Sequence, residues 1–211
     1  MGKTTSTRLA GTPTSSASDA VTSKGAEARQ RIVAIAEALF SRQGFDGTSM
    51  RQIASEAKMQ AASMYYYFPS KEELLWAVWE GGGIELLDRA KAAASAPGSP
   101  WERLEALCVA HISGLLDWRK ANQVLFIMPP WQYPDSIRPR VIALRDEYER
   151  VFASVIDVLP LRPDVDRRQF RLTLIGALSW TLFWYRPDGG PHDVVARQIL
   201  DLLRAGGELT S

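Results

Sequence analysis

Side chains able to do covalent or metal chemistry are few. The chain has one cysteine, Cys108, and two histidines, His111 and His192. One thiol excludes an internal disulfide and a thiolate-rich zinc or iron–sulfur site, and the histidines would have to lean on carboxylates to hold a metal. There is no glycine-rich phosphate loop, no His-Glu metal spacing and no nucleophile elbow. The expectation is a protein that is not an enzyme and uses no metal and no cofactor. The polar residues that do cluster lie between 48 and 71, and their types suit a nucleic acid. Thr48 and Ser49, at a helix N-terminus, offer hydroxyl and backbone N–H groups to a phosphate. Arg51, Tyr65 and Lys71 would add phosphate contacts. Gln60 can pair with an adenine edge, Ala61 is small enough to meet a thymine methyl, and Ser63 and Tyr66 share their exposed side.

The elements that must position these residues are short helices. From Ala26, Ile32, Ile35/Ala36 and Leu39/Phe40 recur at helical spacing, and Gly44 stops the run. Thr48 or Ser49 caps a second helix with Met50, Ile53, Ala54 and Ala57 on one face. After a break at Lys58–Met59, Gln60–Tyr66 forms a third. The last two make a helix-turn-helix, whose second helix fits the major groove while the first braces it. Ser70 and Glu73 then form a capping box for the next helix. That helix contains Gly81–Gly83, a triplet expected to kink it.

Charge agrees with this placement. The formal net charge of +1 averages a basic front and an acidic rear. Through Lys71 there are nine basic and five acidic residues, +4; the rest holds 16 basic and 19 acidic, −3. The longest strongly apolar stretch, Leu172–Tyr185, is short of the ~20 residues a membrane span needs. No membrane partner and a cytoplasmic location are expected.

The stretches Thr48-Ser49-Met50-Arg51-Gln52-Ile53-Ala54-Ser55-Glu56-Ala57 and Met64-Tyr65-Tyr66-Tyr67-Phe68-Pro69-Ser70-Lys71-Glu72-Glu73-Leu74-Leu75 resemble the N-terminal signature of the tetracycline-repressor (TetR) family. The resemblance implies an all-α fold: a three-helix DNA-binding head and a body of about six helices that binds a ligand and dimerises. The expected division is a disordered tail over 1–23, the head over 24–71 and the body over 72–211. By the same resemblance Tyr65 and Lys71 touch phosphates and residues 60 to 66 read bases. Lys58 departs from the family, which commonly has glycine there. A lysine must then hold a left-handed backbone at some cost, or the turn differs.

The rear reads as helices from Trp101 to about Arg119, Gln123 to Met128, Asp135 to Leu159, Arg167 to Tyr185 and Pro191 to Arg204. All seven tryptophans follow the head. Trp79, Met128, Trp131, Trp180 and Trp184 are candidates to line an effector site, with His111 as a polar group. Arg138, Arg140, Arg145 and Arg186 are candidates to receive an anion. The stretch Trp184-Tyr185-Arg186-Pro187-Asp188-Gly189-Gly190-Pro191 resembles a branch of the family that governs lipid or steroid breakdown and responds to acyl-coenzyme A thioesters. The last two helices are expected to form a homodimer through Leu174, Ala177, Leu178 and Thr181 on one and Val195, Gln198, Ile199 and Leu202 on the other. The reading is a repressor released from a near-palindromic operator by a small hydrophobic molecule. The rival is a helical adaptor whose head binds protein.

Overall fold

A computed structural model describes residues 16–117, 129–186, 188 and 190–208, with the backbone alone for 16–23 and 117. Among the described residues there are eight α-helices and no strand; Leu161 and Glu208 form an isolated antiparallel bridge. They are α1 Ser16–Gln43, α2 Met50–Glu56, α3 Ala61–Tyr67 and α4 Lys71–Ala94, then α5 Pro100–Asp117, α6 Arg138–Ile156, α7 Arg167–Trp184 and α8 His192–Gly207. A 3-10 turn, Pro130–Gln132, precedes α6.

Local chemistry explains most ends. Gly44 adopts φ 78° and its N–H donates to Phe40 O, closing α1. The hydroxyls of Ser49, Ser70 and the carboxylate of Asp166 accept from backbone N–H groups of α2, α4 and α7. Three expectations are corrected. Helix α1 begins at Ser16, inside the stretch read as a disordered tail, because extending a helix already nucleated by Ile32, Ala36, Leu39 and Phe40 gains one hydrogen bond per residue. Helix α4 runs through Gly81–Gly83 unbroken. Its Gly83 is a contact residue: a Cβ there would lie 2.8 Å from Leu144 of α6 and 3.2 Å from Trp79. Helix α8 keeps Gly206 and Gly207 in its last turn. The expected segment Gln123–Met128 lies outside the described residues, and Met128 with it.

Two apolar clusters fill the described part of the chain. One joins α1, α2 and α3 to the first half of α4, down to Trp79, and takes in Tyr133, Ile137 and Val141. The other is built from the second half of α4 with α5, α6, α7 and α8. Leu144 packs against both. The head is thus seated on α4 and on the start of α6, and its core does not stop at residue 71.

Candidate DNA-reading head and effector cavity

The turn between α2 and α3 is built by backbone. Ala57 N–H donates to Ile53 O, Met59 N–H to Ala54 O, and Lys58 sits between them at φ 55°. Of the two alternatives open in the sequence, a left-handed lysine or a different turn, the left-handed lysine is the one present. Such a conformation costs an L-residue about 1–2 kcal/mol, so Lys58→Gly is expected to raise the unfolding free energy by up to ~1 kcal/mol in urea titrations. A loss of stability would show that the lysine side chain matters more than its backbone.

Helix α3 buries Met64 completely and turns its polar side out. Tyr65 is 51% and Tyr66 86% exposed, and Gln60 and Ser63 are exposed beside a half-buried Ala61. Arg51 is exposed on α2, and Ser49 Oγ accepts from Gln52 N–H at 3.2 Å.

Two of the expected phosphate residues are used differently. Thr48 is buried; its hydroxyl donates to Gly44 O at 2.8 Å and accepts from Gln43 Nε2 at 3.1 Å. It braces the α1–α2 loop, and that hydroxyl is not presented outward. Lys71 Nζ donates to Phe45 O at 2.8 Å and Thr48 O at 3.1 Å and lies 4.1 Å from the centre of the Phe45 ring. Two of its three N–H donors hold the loop, leaving one for a phosphate. The Lys71 role depends on partners 23 and 26 residues away, whereas the Thr48 partners lie four and five residues back in the same loop. The Gln43 amide, which also reaches Gln52 Oε1 at 2.7 Å and ties α1 to α2, carried no sequence signal.

The capping box is half made. Ser70 Oγ accepts from Glu73 N–H, but the Glu73 carboxylate accepts a two-pronged contact from Arg140 of α6, at 3.0 and 2.5 Å. The Arg140 guanidinium lies over Trp76 and, by hydrogen bonding, holds the Glu73 carboxyl below its ordinary range. Arg138 donates to Pro130 O and Tyr133 O and pairs with Asp135. Neither arginine is placed for an outside anion.

The body contains a cavity of about 290 Å³ between α5, α6 and α7. Helix α5 supplies His111, and α6 supplies Arg145, Tyr148 and Glu149. Helix α7 supplies Leu172, Ile175, Gly176 and Ser179, one face at three- and four-residue spacing. His111 is buried; its Nδ1 lies 2.6 Å from the Tyr148 hydroxyl and its Nε2 3.1 Å from Ser179 Oγ. Burial lowers its pKa to about 4, so the ring is neutral at neutral pH. Burial likewise pushes the Tyr148 phenol up. The second histidine, His192, meets Ser113 Oγ at 2.8 Å and joins α8 to α5.

Of the expected lining residues, His111 and Arg145 are at this cavity. Trp79 is not: it is 1% exposed, stacked on Trp76, with its indole N–H donating to the Tyr133 hydroxyl at 3.1 Å. Trp131 is 74% exposed, and Trp180, Trp184 and Arg186 are exposed too. Tyr148, Gly176 and Ser179 are lining residues that periodicity read as ordinary helix positions. The pairing of α5 with α6 and α7 was the missing information.

Helix α7 also corrects the expected dimer face. Leu174, Leu178 and Thr181, with Val195 of α8, fill the chain's own core. The Thr181 hydroxyl donates to Leu178 O. Ala177 and Ile199 are half-buried; Gln198 and Leu202 are exposed. The apolar residues turned outward are Leu172, Trp180, Phe183 and Trp184 on α7 and Val194 and Leu202 on α8. Among the described residues no group of three or more His, Cys, Asp or Glu side chains is arranged to hold a metal, and no helix is long and apolar enough to cross a membrane.

Residues 32–78 match the bacterial regulatory proteins of the tetR family, and residues 97–206, more than half of the chain, match the tetracyclin repressor-like C-terminal domain. The chain belongs to the TetR family. It is a DNA-binding transcriptional regulator with a helix-turn-helix head and a ligand-binding body. This TetR-family chain is 28% identical over 188 residues to the HTH-type transcriptional repressor KstR2 of Mycobacterium tuberculosis, covering 84% of the chain and 92% of that protein. The solved structure of the same KstR2, a ketosteroid transcriptional regulator, superposes with a TM-score of 0.69 over 86% of this chain and 95% of that one, at 25% identity. A TetR/AcrR-family regulator from Thermobifida fusca is 33% identical, with a TM-score of 0.62 over 85% of this chain and 98% of that one. AibR, solved with isovaleryl coenzyme A and operator DNA, shares the fold: TM-score 0.69 at 23% identity, over 84% and 97% of the two chains.

Proposed function

We propose that this TetR-family regulator is a cytoplasmic homodimeric repressor. It binds a near-palindromic operator through α2 and α3 and is released when a small, mainly apolar effector enters the α5–α6–α7 cavity. The single observation that carries the DNA reading is α3: a fully buried Met64 beneath exposed Gln60, Ser63, Tyr65 and Tyr66. The outward apolar face of α7 and α8 supports a second copy as its cover, since exposed aromatics at this density mark an interface. Two heads joined there would meet major grooves one helical turn apart, about 34–36 Å. Repression is supported by the relationship to KstR2. An acyl-coenzyme A thioester as effector is supported by AibR, which binds one on the same fold, and by Arg145 at the cavity.

The connection between the sites runs through α6. It carries three cavity residues and, less than two turns earlier, Arg140, which grips Glu73 at the start of α4. Lys71, two residues before Glu73, holds the loop that presents α2. A ligand that moves α6 shifts the population of head positions, and coupling of this kind is typically 1–3 kcal/mol.

The test is binding to genomic fragments selected by the protein itself, measured across salt concentrations. The expected result is a steep linear fall of log K with log salt, about 0.9 per neutralised phosphate. Tyr65→Ala is expected to weaken binding about tenfold without changing stability, since Tyr65 supports nothing in the core. Salt-independent binding, or none, would overturn the DNA reading in favour of a protein-binding head.

A further inference from the structure

In the middle of the α7 stripe that lines the cavity stands Gly176. A glycine inside a helix costs about 1 kcal/mol relative to alanine, so its presence calls for a reason. At Gly83 and Gly114 the reason is contact: a Cβ would press on Leu144 in the first case and collide with Leu86 in the second. At Gly176, which is exposed, a Cβ would meet nothing within 4 Å, as at the exposed Gly81, but Gly176 stands on the cavity wall. The open room at Gly176 adjoins the cavity, whose 290 Å³ stands at the lower edge of the ~300–1,000 Å³ usual for small-molecule sites.

A proton count supplies the second observation. Tyr148, His111 and Ser179 form a chain of two hydrogen bonds. A neutral imidazole carries one ring hydrogen and each hydroxyl carries one, three hydrogens for two links. If Tyr148 donates to Nδ1, then Nε2–H donates to Ser179 and the serine O–H is left over. If the chain runs the other way, the tyrosine O–H is left over. In both directions the chain ends in one spare donor, and both of its ends line the cavity. A spare donor is satisfied by an acceptor and not by hydrocarbon.

We propose that Gly176 sets the size of the group the effector cavity admits, and that this group is an apolar skeleton with one carbonyl oxygen, which takes the spare O–H of the Tyr148–His111–Ser179 chain. The proposal rests on the reading of this cavity as the effector site and names the chemistry that site selects. Leu172 and Ile175 flank the skeleton, and the carbonyl belongs either to an acyl thioester or to a free ketone.

The test is calorimetric titration of the full chain with two ladders of about four to ten carbons, coenzyme A thioesters and methyl ketones. Each ketone is paired with the alkene in which =CH2 replaces =O. The expected result for the native chain is a length cut-off in one ladder and about tenfold tighter binding of ketone than alkene. Gly176→Val moves the cut-off shorter and weakens the longest accepted probes at least about tenfold, leaving short probes and the sedimentation state unchanged. Gly176→Ala, which gains helix propensity, shifts the cut-off by less and guards against a folding defect. Binding only in the thioester ladder assigns the carbonyl to an acyl group, and binding only in the ketone ladder assigns it to a free ketone. If the native chain shows a cut-off that neither variant moves, the size role of Gly176 is wrong. If the variants change only the sedimentation state, the space belongs to a second copy. Equal binding of alkene and ketone removes the carbonyl. If no probe binds the native chain, the effector reading itself falls, and this proposal with it.

Discussion

Trp79→Ala is expected to lower the unfolding free energy by about 3–5 kcal/mol, the range for deleting a large aromatic from a closed core. Trp79 is 1% exposed and lies in the head's cluster at the point where α4 passes into the body. Its ring stacks on Trp76 at 5.8 Å between centroids and meets Tyr133 edge-on at 6.4 Å. Its six-membered ring would lie 3.2 Å from a Cβ on Gly83, so the glycine and the indole are fitted to each other. Burial pushes the Tyr133 phenol up to about 12, against the lowering effect of the indole hydrogen bond. Trp79→Phe keeps most of the packing and removes the indole N–H, with an expected cost nearer 1–2 kcal/mol. Urea denaturation of both variants checks this; a Trp79→Ala loss below ~1 kcal/mol would mean that the head and α6 do not share this core. The same cluster includes Ile137 and Val141 of α6, so the alanine variant is also expected to weaken the effect of effector on operator binding more than Tyr65→Ala does.

The second large effect is on pH. His111 is buried as a neutral ring, with its pKa lowered by desolvation from 6.5 to about 4. In the unfolded chain the imidazole takes up a proton near its ordinary pKa; in the folded chain it resists until far lower pH. Between those values the unfolded state binds more protons, so stability is present in full above about pH 6.5 and is lost as pH falls toward 4. A drop from about pH 7 to about pH 5 is expected to remove about 2 kcal/mol. His111→Gln, which keeps two hydrogen-bonding ends but cannot charge, is expected to flatten most of that slope while lowering stability at pH 7. The carboxylates of Glu73, Glu102, Glu147 and Glu208 are held below their ordinary value of 4.5 by arginine, lysine or serine partners. Their contribution is lost only as pH falls through that lower range, which separates them from His111. An unfolding free energy that stays flat from pH 7 to 5 in the native chain would show that His111 is hydrated.

The head was legible in the sequence to the level of single residues. Gly44, Ser49, Ser70 and the left-handed Lys58 act on backbone groups a few residues away, and the apolar spacing of Ile32, Ala36, Leu39 and Phe40 selects the buried face directly. Lys71 shows where that logic ends, and Thr48 shows that residue type alone does not tell a phosphate contact from a local brace. Their types suit a phosphate, yet the Thr48 hydroxyl is taken by Gly44 and Gln43, and Lys71 reaches carbonyls 23 and 26 residues away. Helix α7 shows it again. It is apolar on most sides, so its periodicity could not tell core from surface, and Leu174, Leu178 and Thr181 proved to be inside while Trp180 and Phe183 are outside. Trp131 and Tyr133 stand two residues apart in one loop; the first is 74% exposed and the second 1%.

The sequence by itself determined the all-helical class, the caps at Gly44, Ser49 and Ser70, the helix-turn-helix and the family, because caps, turns and apolar stripes are contacts between near neighbours along the chain. Only the tertiary structure decided which face of α7 is buried and where a ligand has room. A cavity consists of what surrounding side chains fail to reach. Here that depends on His111 meeting Tyr148 and Ser179, 37 and 68 residues away, across three helices.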